Sequence, residues 1–471
     1  MLNKQKKSFL LKCLAFVFAG ITLQCSDEEV LPQTKIASEE DLVTSATAAA
    51  GDCGCTYVVP SNTPLVDAKA LGLKPGNVIC LKASYTYANL LFRNVIGTAI
   101  APIVIKNCGG TVTLNAAGKS YAMKTELSKY FRITGGNGTT YGIKLSGGAQ
   151  GLMLDKLSTN VEVDHLEIAN PGFAGIMAKT DPTCTDNTAL RGVFVMRDVS
   201  LHHNYVHDTG GEGFYVGNSF YTSGMNLSCG VRMPHTIEGI KIYNNIIKNS
   251  GWEAIQVGSA PKGAEVYNNR IENYGTKNVL YQKNGVQFGE GAPGKFYGNF
   301  IKGGRGIGLF IIGNAENFVH DNVIVNTGQD GIFCDERNAV GAGFKFINNT
   351  IINPGTNGIR IYAEKVPMNN VLNNIIVNPG SYSSYKYPRT GNDAYVYLLG
   401  KTVPVQLANN HFTRDISSMK FQNISAFDYR LTSASPVINK GYNIATYNIL
   451  LDFNLFTRLK GTAYDIGACE Y

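Results

Sequence analysis

Two glutamates that occupy equivalent points of a repeated pattern are the residues best suited to acid–base chemistry. Glu212 directly precedes the strand-like run Gly213–Val216, and Glu253 directly precedes the similar run Ala254–Val257. If the repeats stack in register, the two carboxylates lie on neighbouring rungs about 5 Å apart. Two carboxylates at that separation can act as the acid and the nucleophile of a retaining glycosidase, and each perturbs the pKa of the other. The pair therefore favours glycoside hydrolysis.

Asp330 stands at the same turn of a later repeat, as do Asn284 and Asn357. Asp and Asn are expected at such a turn for structural reasons, because their short side chains bond the nearby backbone. Glutamate offers less of this local capping, so Glu212 and Glu253 are the stronger functional candidates. Asp330 is the third catalytic candidate.

Other side chains that alternate outward on these strands, or lie beside them, are candidates for substrate binding. They carry a cationic, amide or phenol group, each of which can hydrogen-bond to a sugar. The set comprises Lys144, Lys179, Tyr215, Gln256, Gln287, Arg305 and Arg360. Trp252, next to Glu253, could stack on a sugar ring, although a lone tryptophan is as often an anchor of a core or loop.

An internal repeat must position these residues. Its first half is a short apolar strand that begins with two Asn or a close variant, as in Asn244–Asn249 and Asn373–Asn378. The shortest steps between successive copies are 23 to 25 residues, and the longer steps fit insertions into a coil. The second Asn of each copy falls at Asn204, Asn245, Asn269, Asn299, Asn322, Asn349, Asn374 and Asn410.

The second half of each repeat alternates apolar and outward residues with period two, as in Gly285–Phe288 and Gly331–Cys334. Tyr141–Leu145 and Gly175–Met177 look like earlier copies. One repeat is too short to bury a core, so stacked coils must form parallel sheets around a continuous apolar column. Equivalent Asn residues can then hydrogen-bond along the column. The fold class predicted from the pattern is an all-β solenoid.

The pattern over about residues 55 to 435 resembles the pectate-lyase-like right-handed parallel β-helix superfamily. Leu73–Leu81 is similar to the N-terminal entry of that superfamily, where a short capping helix leads into the first coil. Thr63–Leu71 is the predicted capping helix, and Ser435–Tyr471 resembles the C-terminal ending of exported β-helix proteins. The resemblance implies a single right-handed parallel β-helix with this short N-terminal helix.

The resemblance leaves the activity open, because the superfamily contains lyases, hydrolases, epimerases and non-catalytic adhesins. Its lyases place a Lys or Arg base beside a uronate carboxylate, often with Ca²⁺. The candidate bases are then Lys144, Lys179, Arg305 and Arg360. The candidate calcium ligands are Asp181, Asp186, Asp335 and Glu336. The Arg-x-Pro-x-x-Arg motif of pectate lyases is absent, and Arg232–His235 only begins like it.

The N-terminus has the pattern of an export signal, in which four lysines precede the short apolar run Cys13–Leu23. Cys25 and the acidic residues after it resemble the lipidation site and surface-export signal of Bacteroidota lipoproteins; an ordinary cleaved signal peptide is the alternative. Residues 26–50 are small and polar, as in a flexible tether. The predicted organisation is a lipoprotein signal over 1–24, a tether over 25–50, the β-helix over 51–435 and a C-terminal cap over 436–471.

Cysteine usage also fits an exported chain, because eight cysteines follow Cys25 and an even number permits disulfides. Two insertions, 180–192 and 217–237, each contain one cysteine at a similar distance past its strand. We expect a disulfide between Cys184 and Cys229 that holds the two loops together and forms a wall beside the outward residues.

The charge of the chain is compatible with an acidic glycan and argues against a nucleic-acid partner. The whole chain carries +7 and residues 51–471 carry +8, which is dilute over so long a body. The leading hypothesis is a monomeric, surface-anchored glycoside hydrolase or polysaccharide lyase, held to the membrane through a lipid on Cys25. The alternatives are a non-catalytic glycan-binding or surface-structural protein and a uronate epimerase. Ca²⁺ is expected only for a lyase.

Overall fold

The computed structural model describes residues 53–312, 315–337, 341–380, 394–400 and 402–471. The predicted signal peptide, the lipidation site at Cys25 and the whole predicted tether lie outside the described residues. Within the described parts of the chain, no helix is both long enough and apolar enough to span a bilayer.

The chain forms a right-handed parallel β-helix with three long sheets. Each full coil contributes one strand to each sheet. In one coil the strands are Lys241–Tyr243 in sheet 1, Ile246–Lys248 in sheet 2 and Ile255–Val257 in sheet 3. Every strand pairs in parallel with its counterpart in the next coil, as Ile247 does with Ile271. Residues two dozen apart in sequence therefore lie on adjacent rungs.

The three sheets run side by side along the whole solenoid. Sheet 1 contains Tyr57–Val58, Val78–Lys82, Ile103–Cys108, Lys129–Thr134, Thr159–Asp164, Val199–His202, Lys241–Tyr243, Ala264–Tyr267, Gly294–Tyr297, Phe318–His320, Lys345–Ile347, Asn369–Leu372 and Val405–Ala408. Sheet 2 contains Val112–Asn115, Ile143–Ser146, Leu166–Ala169, Tyr205–His207, Ile246–Lys248, Arg270–Tyr274, Phe300–Gly304, Val323–Val325, Thr350–Ile352, Ile375–Val377 and His411–Thr413. Sheet 3 contains Leu65–Asp67, Leu90–Arg93, Tyr121–Glu126, Gln150–Leu154, Ile176–Ala178, Phe214–Val216, Ile255–Val257, Val286–Phe288, Leu309–Ile312, Ile332–Asp335, Ile359–Tyr362 and Val396–Leu398.

Shorter elements decorate the solenoid. The paired strands are Val195–Arg197 with Thr236–Glu238, Met225–Leu227 with Gly230–Arg232, and Phe421–Asn423 with Asp428–Leu431. The 3₁₀ helices are Ile416–Met419, Ile424–Ala426 and Ala445–Tyr447.

The predicted asparagine ladder is present between sheets 1 and 2. From Asn204 to Asn410, the side-chain oxygen of each ladder Asn accepts the backbone N–H and the side-chain N–H of the ladder Asn before it, at 2.9–3.2 Å. The residue before a ladder position has positive φ, as at Asn244 (φ 53°), a conformation that Asn tolerates well. The ladder satisfies the polar groups of these buried turns and fixes the register of the coils.

Residues after the last coil pack back along the flank of the solenoid. Met419 from this segment shares an apolar cluster with Val325 of sheet 2. Arg458, whose side chain is 1% exposed, forms an ion pair with Asp321 at the sheet 1 to sheet 2 turn. This segment, which includes the predicted C-terminal cap over 436–471, therefore covers the outer surface of sheet 2 in the later coils.

The helix predicted over Thr63–Leu71 is wrong. Leu65–Asp67 is instead a sheet 3 strand that pairs with Leu91–Arg93, and Val66 is 1% exposed. The Asp67 carboxylate then accepts the backbone N–H groups of the turn that follows. The apolar spacing fits one helical turn equally well, but pairing with the next coil buries more surface and satisfies the backbone.

Three disulfides are present in the described residues. Cys53–Cys108 and Cys55–Cys80 tie the start of the body to the first coils, and Cys184–Cys229 joins the two predicted loops. Such cross-links are typical of chains that fold in an oxidising compartment outside the cytoplasm.

Candidate functional site

The outer face of sheet 3 forms a long floor. Because the strands pair in parallel and in register, one outward residue from each coil lines up along the helix axis. In coil order this row is Lys124, Met153, Met177, Tyr215, Gln256, Gln287, Phe310, Phe333, Arg360 and Tyr397. Many of these strands have three residues, so the floor is about 10 Å wide there. Its apolar, aromatic and amide groups are the kinds that contact sugars.

The two predicted loops rise at the edge where the sheet 3 strands end. Besides the Cys184–Cys229 disulfide, Arg191 connects them, because its guanidinium donates to the backbone oxygen of Tyr221 at 2.6 Å and lies 4.1 Å from the centre of that ring. His235 is buried and accepts from the backbone N–H of Thr180 at 2.9 Å. Burial lowers the pKa of His235, so this histidine is a neutral structural anchor.

A cavity of about 500 Å³ lies between the floor and the first loop. Its walls combine two methionines with three carboxylates and two lysines. The lining residues are Leu127, Met153, Asp155, Lys156, Leu157, Met177, Lys179, Thr180, Asp181, Thr183, Asp186, Thr188 and Ala189.

Lys179 is the central cation of this cavity. Its side chain is 9% exposed, and its ammonium lies 2.9 Å from both carboxylate oxygens of Asp181 and 4.4 Å from the centre of the Tyr215 ring. Asp181 also accepts from the side-chain amide of Asn218 at 2.9 Å. Burial lowers the pKa of Lys179, but Tyr215 and Asp181 outweigh that effect and the net shift is upward. Lys179 is therefore a fixed positive charge at neutral pH.

The structure brings three of the predicted binding residues together. The Tyr215 hydroxyl is 3.0 Å from the Ser219 hydroxyl, which also accepts from the Gln256 amide at 2.7 Å. The Gln287 amide donates to the Gln256 oxygen at 3.4 Å. This chain orients the amide and phenol groups of the floor beside Lys179.

Glu212 and Glu253 lie on adjacent coils, because Gly213 donates its N–H to the backbone oxygen of Glu253 at 2.9 Å. They are 2% and 0% exposed, so neither carboxyl group is open to a polymer on the floor. Asn284 donates to one oxygen of Glu253 at 3.2 Å, whereas the second oxygen of each glutamate has no hydrogen-bond partner among the described residues.

Burial also decides the protonation of this glutamate pair. It raises the pKa of Glu212 to about 7, against a smaller lowering by Lys179. It raises the pKa of Glu253 to about 8, and the charge of Glu212 adds to that rise. Near neutral pH the pair therefore carries protons that exposed glutamates would release.

The remaining predicted site residues lie apart from the cavity. Asp330 is buried and accepts from Thr356 at 2.5 Å, and it forms a 3.0 Å ion pair with Arg360. Arg305 is exposed at the edge where the sheet 3 strands begin. Lys144 was expected among the outward residues of this face, but it belongs to sheet 2, where it pairs with Glu167 at 2.7 Å. The early repeats lack the Asn marker, so their two halves could not be told apart.

The four calcium candidates do not converge. Asp181 and Asp186 line the cavity, whereas Asp335 bonds to Arg337 at 2.7 Å and Glu336 accepts backbone N–H groups of a distant loop. Only the first two could bind an ion within the cavity.

A second polar cluster, which the sequence analysis missed, lies on the outer face of sheet 1. The ligand atoms of Glu162, Asp164 and His202 are within 4.8 Å of one another. The Arg132 guanidinium donates to Asp164 at 2.7 Å and lies 3.2 Å from Glu162, so it occupies the position between the carboxylates that a cation would take. Arg132, Glu162 and Asp164 belong to coils that lack the Asn marker, so the spacing of the repeat did not reveal them as neighbours of His202.

Comparisons with known proteins agree with the fold. Residues 229–412 match the family model described as the right handed beta helix region. No curated protein matches significantly.

Solved structures to which this chain is similar include the pectate lyase Pel9A, with a TM-score of 0.49 and 14% identity over 88% of this chain and 96% of that chain. An alginate lyase from Paenibacillus sp. str. FPU-7 has a TM-score of 0.35 and 19% identity over 56% of this chain and 94% of that chain. The GH136 lacto-N-biosidase from Eubacterium ramulus has a TM-score of 0.44 and 13% identity over 77% of this chain and 68% of that chain.

Proposed function

We propose that this right-handed parallel β-helix protein binds a polysaccharide along the outer face of sheet 3 and cleaves it there, as a glycoside hydrolase or a polysaccharide lyase. One observation carries the proposal: a cavity of about 500 Å³ opens on this face beside two disulfide-linked loops and contains the buried Lys179, whose ammonium pairs with the exposed Asp181. Burying the Lys179 ammonium is costly, so its placement in a cavity points to a ligand rather than to stability.

The shape of the floor suits a polymer. Aligned outward residues on successive coils give a strip parallel to the helix axis, and a linear glycan can contact many rungs at once. The floor contributes aromatic rings and oriented amides, as at Tyr215 and Gln256, which match the apolar faces and hydroxyl groups of sugars. Lys179 contributes a fixed cation, which favours a carboxylate-bearing sugar.

Both reaction classes can be assigned residues within the cavity. For hydrolysis, Asp155, Asp181 and Asp186 are carboxylates that reach the cavity, and Glu212 and Glu253 would take part only if the coil turns above them open. For elimination, a uronate carboxylate would need neutralisation. Lys179 can supply that charge, and Asp181 with Asp186 are the ligands that this cavity offers to Ca²⁺. A uronate epimerase would have the same requirements.

We further propose that the protein works outside the cytoplasm, anchored through a lipid on Cys25. The disulfides support the compartment. The lipid anchor can be checked by metabolic labelling with a fatty-acid analogue and by Cys25→Ser, which should release the chain from the membrane fraction.

The function can be tested by incubating the purified body with polygalacturonate, alginate and a neutral glucan. An ultraviolet-absorbing unsaturated product would identify a lyase, and new reducing ends without that absorbance a hydrolase. Lys179→Met should weaken binding to the acidic polymers about tenfold or more, because it removes a charge–charge contact. Lys144→Met is the matched control, because Lys144 is also ion-paired but lies on sheet 2.

Equal losses in the two lysine variants would contradict the assigned site. Binding of a glycan without any product would favour the non-catalytic alternative, which the burial of Glu212 and Glu253 specifically supports.

A further inference from the structure

The edge of sheet 3 opposite the disulfide-linked loops carries an aromatic row. The backbone turns at this edge stack in register: Gly211 donates its N–H to the oxygen of Phe173 at 2.7 Å, and Trp252 donates to Gly211 at 3.0 Å. Gly275 donates in turn to Trp252 at 3.0 Å. Phe173 and Trp252 therefore lie two coils apart on one line, next to the floor.

Gly211 in the intervening coil lets the rings of Phe173 and Trp252 come into contact. Their centroids are 5.4 Å apart in an edge-to-face arrangement, and Phe173 also contacts Tyr215 of the floor edge to face at 6.2 Å. A side chain at Gly211 would be excluded, since its Cβ would lie 2.7 Å from the Phe173 ring. Phe173 and Trp252 both remain partly exposed, so the rings form a rim that borders the floor.

A loop extends this rim by one coil. Residues 275–283 leave the coil just after the rung of Trp252 and return before the next sheet 3 strand. The loop is held to the preceding turn, because Thr276 and Lys277 donate their N–H groups to Ser250 and Gly251 at 3.0 and 3.1 Å. It is therefore an ordered projection beside Trp252.

Tyr281 stands at the tip of this loop in a costly conformation. Gln282 donates its N–H to the oxygen of Val279 at 3.1 Å, which closes a tight turn with Tyr281 as its third residue. The φ angle of Tyr281 is 64°, a value that favours glycine. Tyr281 is 76% exposed and Leu280 is 68% exposed. Neither the tyrosine ring nor the leucine methyl groups therefore gain much from packing. Strain without a packing benefit points to a role in binding.

We propose that Phe173, Trp252 and Tyr281 form an aromatic rim that contacts the apolar faces of sugar rings and positions the polysaccharide on sheet 3. The inference rests on the proposed function and adds the residues that determine affinity. A glycan would lie between this rim and the disulfide-linked loops, with Lys179 at the far edge. Aromatic rings are suited to this contact because they offer a large apolar face at small conformational cost.

The chain has a single tryptophan, so the fluorescence of Trp252 reports on the rim alone. Calorimetry first identifies the acidic and neutral polysaccharides that the wild-type protein binds. Titration with each of these should shift the emission of Trp252, and the dissociation constant from fluorescence should equal that from calorimetry. Calorimetric binding that leaves the emission unchanged would overturn the inference.

Tyr281→Gly separates a binding role from a structural one. The substitution removes the ring and relieves the positive φ, so the melting temperature should stay the same or rise while affinity for the polysaccharide falls about tenfold. Tyr281→Phe should recover the lost affinity. Tyr471→Ala, which removes an exposed tyrosine at the C-terminus, is the control and should bind as the wild type does.

Failure of the rim and failure of the proposed function give different results. Suppose that the wild type binds a polysaccharide and that Lys179→Met weakens this binding. If Tyr281→Gly then binds the polysaccharide as well as the wild type does, only the rim is refuted. If the wild type binds no polysaccharide in the panel, the proposed function and the rim are both refuted.

Discussion

Two buried polar columns run along this solenoid, and they differ in how well their hydrogen bonds are satisfied. The asparagine ladder between sheets 1 and 2 extends from Asn204 to Asn410, with each side chain bonded to the next. The column between sheets 2 and 3 begins with Glu212 and Glu253, whose second oxygens have no partner within the described parts of the chain. The first column is a structural device, whereas the second leaves buried carboxylate oxygens unsatisfied near the floor.

The chemistry of the side chains explains this difference. An amide has both a donor and an acceptor, so identical Asn residues can repeat indefinitely along a stack. An ionised carboxylate only accepts, so two neighbouring glutamates cannot satisfy each other unless one is protonated. Burial raises the pKa of Glu212 to about 7 and that of Glu253 to about 8, and the charge of Glu212 adds to the rise at Glu253.

Breaking the ladder should have the largest effect on stability. Asn299 accepts from Asn269 and donates to Asn322 and to the backbone oxygen of Val266. Asn299→Ala would leave several buried groups unpaired, and we expect a loss of about 4 kcal/mol in the free energy of unfolding. Chemical denaturation would measure it. Asn226→Ala, at an exposed position, is the control and should change stability by less than about 0.5 kcal/mol.

The stability of the protein should depend on pH through Glu253. In the folded chain Glu253 keeps its proton up to about pH 8, whereas its ordinary pKa is 4.5. Its contribution to stability is complete below pH 4.5 and is lost as the pH rises through 8. Glu253→Gln removes this titration and should raise the unfolding free energy by about 2–3 kcal/mol at pH 9, with little change at pH 4.

Melting curves at both pH values would test the prediction for Glu253. Equal effects at pH 4 and pH 9 would contradict a buried, titrating carboxyl group. Activity measured on the same variant would also show whether Glu253 takes part in catalysis.

A smaller effect on stability is expected at Asp330, where the hydrogen bonds of the column between sheets 2 and 3 are satisfied. Asp330 is bonded to Thr356, to the backbone of Asn357 and to Arg360. Asp330→Asn should therefore cost only about 1–2 kcal/mol, through the lost ion pair. Thermal denaturation would measure that cost. Loss of turnover a hundredfold or more, with this modest change in stability, would instead give Asp330 a catalytic role.

The outer face of sheet 2 shows how tertiary contacts change the meaning of a pattern. Its early coils carry charged residues such as Lys144 and Glu167, which are ion-paired at the surface. Its later coils carry apolar outward residues such as Val325 and Ile352, because the C-terminal segment covers them. Apolar residues on both faces of these strands were visible in the sequence, but the segment that covers them was not.

Much of the site was predictable where the repeat was regular. The Asn spacing set the register from Asn204 onward, and it correctly placed Tyr215, Gln256 and Gln287 on one face. Upstream of Asn204 the marker is missing, and there Lys144 was assigned to the wrong sheet. The cavity and the sheet 1 cluster also lie in these early coils, so their neighbours could not be found by counting residues.

The sequence by itself determined the stacked parallel coils, the asparagine ladder and the Cys184–Cys229 pairing, because each depends on spacing along the chain. Only the tertiary structure decided that Glu212 and Glu253 are buried, that Lys179 lies in a cavity and that Phe173 meets Trp252. Alternation fixes which way a strand residue points, but the exposure of a turn residue depends on the loops and rings that neighbouring coils place over it.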